Sequence, residues 1–148
     1  MTAAAGVNLP PPRLGRYVEA YEWLRADTID EVLDCCAEDV AFGDPFNRVA
    51  GREAYRRVLE HMFEAVDGPA FDIMQVAGEG DRWFLYWRFT GHVRALGRLD
   101  FDGMSVVRLD AAGMIAAHED HWDSGRHVLQ RAPVIGRVVK WLLDRMAA

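Results

Sequence analysis

An α+β domain is the architecture the sequence predicts, with helices gathered at the front of the chain and antiparallel strands behind them. Two patterns carry that expectation. Apolar residues recur at helical spacing before residue 67, and beyond Pro69 four extended segments follow one another across short glycine-bearing separators. Length supplies the third observation, since 148 residues amount to one domain with no room for a second, cofactor-holding unit.

The elements follow in order. Residues 1–12 end in Pro10-Pro11-Pro12, a stiff extended tail expected to be poorly ordered, and the domain spans 13–148. Leu14, Tyr17, Tyr21 and Leu24 form the buried stripe of a first helix. Thr28 and Glu31 read as a capping box opening a second helix, whose stripe is Ile29, Val32, Leu33 and Cys36. Val40, Phe42 and Asp44 alternate with Ala41 and Gly43 in a short strand that Pro45 stops, because proline donates nothing to a ladder. Tyr55, Val58, Leu59, Met62, Phe63 and Val66 share one face of a third helix, preceded by Gly51 and ended by Asp67-Gly68-Pro69. Strands are then expected at 71–77, 82–93, 98–109 and 114–122, joined as a meander. Ser124-Gly125 leads into a short helix, Pro133 interrupts it, and Val134, Ile135, Val138, Val139 and Leu142 line a final amphipathic helix.

Composition excludes several functions. Acidic residues outnumber basic ones 23 to 17 for a net charge of -6, the wrong sign for phosphate backbones or anionic lipid, so neither nucleic acid nor membrane is an expected partner. The first residues lack the basic start and apolar run of a signal peptide, and a cytoplasmic location is expected. Lys140 is the sole lysine, which leaves no Schiff-base or phosphate-loop lysine. Cys35 and Cys36 are adjacent, poorly placed for a disulfide, and read as small core residues of a helix.

Three segments carry residues suited to chemistry. Asp44 ends an apolar strand, where burial favours a general base, though an Asx turn before Pro45 explains it equally well. In the segment 83–89, Arg88 shares a face with Phe84, Tyr86, Thr90 and His92, while Trp83, Leu85, Trp87 and Phe89 point the other way. An arginine among aromatics needs a carboxylate, and Asp120 and Asp44 are the candidates. His118, Asp120 and Trp122 alternate with Glu119, His121 and Asp123, which splits the string between two faces and disfavours a metal site. His118 one pleat from Asp120 is an acid-base pair or a satisfied core histidine. Tyr17 is a hydroxyl donor or helix packing.

The order of elements resembles the nuclear transport factor 2-like superfamily, as do three strings: 38–45 (EDVAFGDP), 51–54 (GREA) and 119–123 (EDHWD). The resemblance runs from about Arg16 to Asp123 and implies a cone-shaped, cystatin-like α+β fold with a central pocket, here with an extra C-terminal helix. Against ketosteroid isomerase, Tyr17 falls on the oxyanion-hole tyrosine, Asp44-Pro45 on the proton-shuttling aspartate and Ser105 on the second oxyanion donor. Against limonene epoxide hydrolase, Arg88 falls on the arginine, Asp120 on one of the two aspartates, Thr90 on the other, Asp44 on the asparagine and Phe42 on the tyrosine.

The expected function is therefore cofactor-independent acid-base catalysis on a small apolar molecule: isomerisation, cyclisation or epoxide-type hydration. Asp44, Arg88 and Asp120 would be catalytic, with Tyr17, Phe42, Tyr86, Ser105, His118 and Trp122 around the ligand. A non-catalytic domain binding a small molecule or a protein is the competing expectation. The strand 83–89, apolar on both faces, further predicts a homodimer through the sheet.

Overall fold

The structure, a computed structural model, describes residues 8–147. Three helices come first, interleaved with two strands: α1 (Pro12–Glu22), α2 (Ile29–Leu33), β1 (Cys36–Gly43), β2 (Arg48–Ala50) and α3 (Arg52–Ala65). Four longer strands follow, β3 (Asp67–Glu79), β4 (Arg82–Val93), β5 (Gly97–Leu109) and β6 (Ile115–His121), and then α4 (Ser124–His127), a 3-10 turn (Leu129–Arg131) and α5 (Gly136–Met146).

All six strands belong to one sheet in the order β2-β1-β6-β5-β4-β3. The meander β3 to β6 is antiparallel as expected, but the chain's first strand lies parallel to its last, with Phe42 opposite His118 and Gly43 opposite Glu119. Register shifts in β3, between β5 and β6 and within β1 bend the sheet into an open cone. The helices fill its concave side: α1 lies against β3 and α3 against β1 and β3.

Several sequence expectations need correction. Pro12 belongs to α1, not to a tail: it sits in the first turn, where its missing N–H costs nothing. Residues 8–11 precede α1 outside any helix or strand, and residues 1–7 of the expected tail lie outside the described residues. No side-chain cap opens α2: the Thr28 hydroxyl turns back toward the carbonyls of Trp23 and Arg25. Cys36 begins β1 instead of ending α2, because Ile115 opposite it offers a strand partner that a five-residue helix cannot match. Asp67-Gly68-Pro69 already runs in β3, paired with the end of β4. β2 has no counterpart among the expected strands; three residues are too short for alternation to register. Gly51 turns the chain from β2 into α3 at φ 92°, left-handed backbone that favours glycine. The final helix does not seal its apolar row: Val134, Ile135, Val138, Trp141 and Leu142 face solvent, while α5 rests on α4 and the 3-10 turn.

The two faces of β4 separate cleanly. Trp83, Leu85, Trp87 and Phe89 are buried in the core, and Phe84, Tyr86 and Arg88 lie on the outside of the cone. Gly103, directly opposite Trp87 on β5, lets the indole lie flat across the sheet. A methyl at that position would overlap the Trp87 ring, which is wedged between Phe71 and Phe101. Gly103→Ala is accordingly expected to cost about 1–3 kcal/mol, the usual penalty for overpacking a filled core. Urea unfolding followed by tryptophan fluorescence measures it.

Candidate active site

The concave side holds a cavity of about 280 Å³, reached through a partly open mouth. Aromatic rings line several sides of it: Phe42 from β1, Phe71 from β3, Trp87 and Phe89 from β4, Phe101 from β5, and Trp122 just beyond β6. α3 closes one side with Leu59 and Met62. Polar groups on the wall are few, and the carboxylates of Asp44 and Asp120 stand out among them. These two residues are neighbours by topology. The parallel register that sets Gly43 opposite Glu119 brings Asp44, one residue past β1, abreast of Asp120.

Asp120 is the end of a buried polar chain that runs away from the cavity. Its Oδ1 accepts from Ser105 Oγ at 2.5 Å and from His118 Nε2 at 2.7 Å. Ser105 in turn accepts from the Trp87 indole N–H at 2.8 Å, so both sides of this serine are occupied. On the far side of the imidazole, His118 Nδ1 lies 2.7 Å from the Tyr17 hydroxyl, which lies 2.8 Å from that of Tyr55. Tyr55 bonds in turn to Tyr21, and Tyr21 is again on the cavity wall. The chain thus leaves the cavity at Asp120 and returns to it at Tyr21.

Donor directions follow from one constraint. A carboxylate oxygen only accepts, so His118 Nε2 carries a hydrogen, and in the neutral ring Nδ1 must accept from Tyr17. Tyr17 then accepts from Tyr55, and Tyr55 from Tyr21. Burial pushes the hydroxyls of Tyr17, Tyr21 and Tyr55 well above the ordinary tyrosine range. Neighbouring tyrosines add to the rise at Tyr17 and Tyr55, and the Asp120 charge adds to it at Tyr21. Three neutral tyrosines therefore stand in series.

Asp44 is held differently. Its Oδ1 accepts from the backbone N–H of Phe46 and of Asn47, both at 2.7 Å, and the Asn47 amide reaches both carboxylate oxygens. This is the Asx turn expected before Pro45, with the residue still lining the cavity.

The three side chains expected to meet do not all do so. Asp44 and Asp120 share the cavity, but Arg88 is across the sheet, half-exposed, and ion-paired to Asp100 at 2.6 Å. The hydrogen bonds to Arg88 hold the Asp100 carboxyl below the usual carboxylate range. Tyr86, expected as pocket wall, occupies the same outer face and donates to Asp102 at 2.7 Å. Strand alternation carries Arg88 and Tyr86 outward together once Trp87 turns in. Phe42 and Trp122 are wall residues, as expected. Tyr17, Ser105 and His118 stand one layer behind the wall: Tyr17 bonds to His118 directly, and Ser105 and His118 both donate to Asp120. Sequence spacing marks Tyr21 and Tyr55 only as helix stripe; their places on α1 and α3 signal burial, not the meeting of their hydroxyls.

Comparison with solved structures places this architecture among nuclear transport factor 2-like folds. A protein with a ketosteroid isomerase-like fold from Catenulispora acidiphila, in complex with trimethylamine, matches at 15% identity with a TM-score of 0.69, over 84% of this chain and 94% of that one. A nuclear transport factor 2-like protein from Burkholderia pseudomallei matches at 15% identity and a TM-score of 0.70, over 82% and 95%. A candidate polyketide cyclase from Xanthomonas campestris matches at 18% and 0.60, over 74% and 87%. Within that fold class the chain belongs to the SnoaL-like domain family, whose model matches residues 14–118. The matched stretch contains Tyr17, Phe42, Asp44, Tyr55, Ser105 and His118 and stops just short of Asp120. No curated protein gives a significant sequence match.

Proposed function

We propose that the protein is an acid-base enzyme acting on a small molecule held in the aromatic cavity, with Asp120 as the base. One observation carries the reading: Asp120 meets the cavity with its Oδ2 free of protein hydrogen bonds among the described residues, while Oδ1 is anchored by Ser105 and His118. An oriented carboxylate in an apolar chamber is what proton abstraction requires.

The tyrosine chain fixes the orientation of this base. The proton taken from the substrate comes to rest on Oδ2, while Tyr17, donating to His118 Nδ1, keeps the tautomer whose Nε2–H holds Oδ1 in place. This supports isomerisation or cyclisation through an enol, where a proton leaves carbon as charge builds on oxygen. Arg88 has no part in it. The test is hydrogen exchange: small apolar ketones and enones incubated in D2O, their α-protons followed by NMR, should exchange with the enzyme and not with an Asp120→Asn variant.

A second reading, a ligand-binding domain without turnover, draws on the structural neighbour solved with trimethylamine. Binding of a ketone without exchange would favour it.

The outer sheet face is proposed as a homodimer contact. Phe84, Tyr86, Met74 and Met104 leave it partly apolar, and Arg88 beside Asp100 and Asp102 gives it both signs of charge, which a two-fold copy can pair. Sedimentation should show a dimer at tens of micromolar and a monomer for Phe84→Glu; a monomeric wild-type protein would reject the contact. A cytoplasmic setting is proposed, in which the free thiols of Cys35 and Cys36 stay reduced. Among the described residues no helix is long and apolar enough to cross a membrane.

A further inference from the structure

The cavity's charge is as one-sided as its surface is aromatic. Asp44 and Asp120 both lie on the wall, and no lysine or arginine among the described residues does. Two arginines that adjoin wall residues in sequence are committed elsewhere: Arg88 to Asp100 on the outer face, and Arg48 to Glu119 at 2.9 Å. His61 reaches the mouth, but it is exposed and sits 3.8 Å from Glu64. His118 lies behind Asp120, with both ring nitrogens already hydrogen-bonded.

Each part of this lining favours the same sign of ligand. Aromatic faces carry the negative end of a quadrupole and attract a cation placed over them. Phe42, Phe71, Trp87, Phe89, Phe101 and Trp122 surround the space on several sides. A carboxylate shielded from bulk water attracts a cation more strongly than at a surface, and Asp120 is largely buried. Its unpartnered Oδ2 is a ready counter-charge. An anionic ligand would face two carboxylates with nothing to offset them. The volume, about 280 Å³, suits a compact group and not a long chain.

We infer that the ligand this cavity selects is a small organic cation, a tertiary or quaternary ammonium carrying apolar substituents. The inference rests on the proposed reading of the cavity as the ligand site, and it adds the ligand's charge, which proton abstraction by Asp120 does not require.

Two probes of the same shape decide it. Choline and 3,3-dimethylbutan-1-ol differ in having nitrogen or carbon at the branch point, hence in charge and little else. Titration of the full chain at neutral pH, followed by calorimetry and by the Trp87 and Trp122 indole signals, should show choline binding at least about tenfold tighter. Asp120→Asn should shrink that preference several-fold, and Phe101→Leu, which keeps the charge and removes a ring, should weaken choline more than the alcohol. Equal affinity of the two probes, tighter binding of the alcohol, or no saturable binding of choline would each overturn the inference. The acid-base reading fails separately. Exchange of neutral ketones by an enzyme indifferent to choline keeps that reading and removes this one, and choline binding without any proton exchange does the reverse.

Discussion

Asp120→Asn is expected to lower catalysed α-proton exchange by about 10²–10⁴-fold, the range over which a positioned general base contributes. The substitution is nearly isosteric. The asparagine side-chain oxygen can still accept from Ser105 and His118, which lie at 2.5 and 2.7 Å from Oδ1 of the native aspartate. Only the cavity-facing atom changes, from a basic oxygen to an amide nitrogen that cannot take up a proton. The fold should therefore survive, and unchanged circular dichroism alongside lost exchange separates chemistry from stability. Asp44→Asn is the matching control. Asparagine makes the same Asx turn, so Phe46 and Asn47 keep their acceptor, and a loss of exchange at that position as large as at 120 would move the base to Asp44.

A comparably large effect is expected in strong alkali. Of the four tyrosines, Tyr17, Tyr21 and Tyr55 are buried with their hydroxyls pushed well above the ordinary range, chiefly by desolvation. In the unfolded chain they ionise near pH 10. Above that pH the unfolded state binds fewer protons than the native state, so the slope of unfolding free energy against pH is negative. Stability from these groups is complete below about pH 10 and declines as pH rises toward their native values, by about 1.4 kcal/mol per pH unit for each tyrosine that ionises only on unfolding. Cys36, pushed up to about 12 by burial, acts in the same sense from a lower onset. Absorbance at 295 nm distinguishes the groups. Tyr86, on the surface and raised mainly by its bond to Asp102, should titrate in the folded protein, and the other three only in a cooperative step that coincides with unfolding. Smooth native-state titration of all four would contradict the sealed hydroxyl chain.

The fold is readable from the sequence because its periodicities are local. Alternation marks β4 and β5, and helical spacing marks α1 and α3, almost to their ends. Which side of β4 faces inward is less accessible, because both of its faces are apolar. Phe84 and Tyr86 look as ready for a core as Leu85 and Trp87. The deciding signal lies on the next strand: Asp100 and Asp102 alternate with Leu99, Phe101 and Gly103, and the antiparallel register sets Arg88 opposite Asp102. Charges on one face of β5 therefore draw Arg88 outward with them. Asp120 and His118 are legible as a pair because residues two apart on a strand share a face. The tyrosine chain is not. Its members come from α1 and α3, and their hydroxyls meet only through the packing of two helices against a sheet whose curvature no short window encodes.

The parallel pairing of β1 with β6 sets the order in which the molecule can be assembled. Hairpins between β3, β4 and β5 close over a few residues and can form early, whereas Cys36 must find Ile115 across most of the chain. Phe42 lies on the first of these distant partners and Asp44 just past its end, while His118 and Asp120 lie on the last. During synthesis the chamber consequently has no second wall until β6 has emerged and slotted between β1 and β5. An intermediate lacking that final insertion would hold most of its sheet without Asp120 or His118 in place.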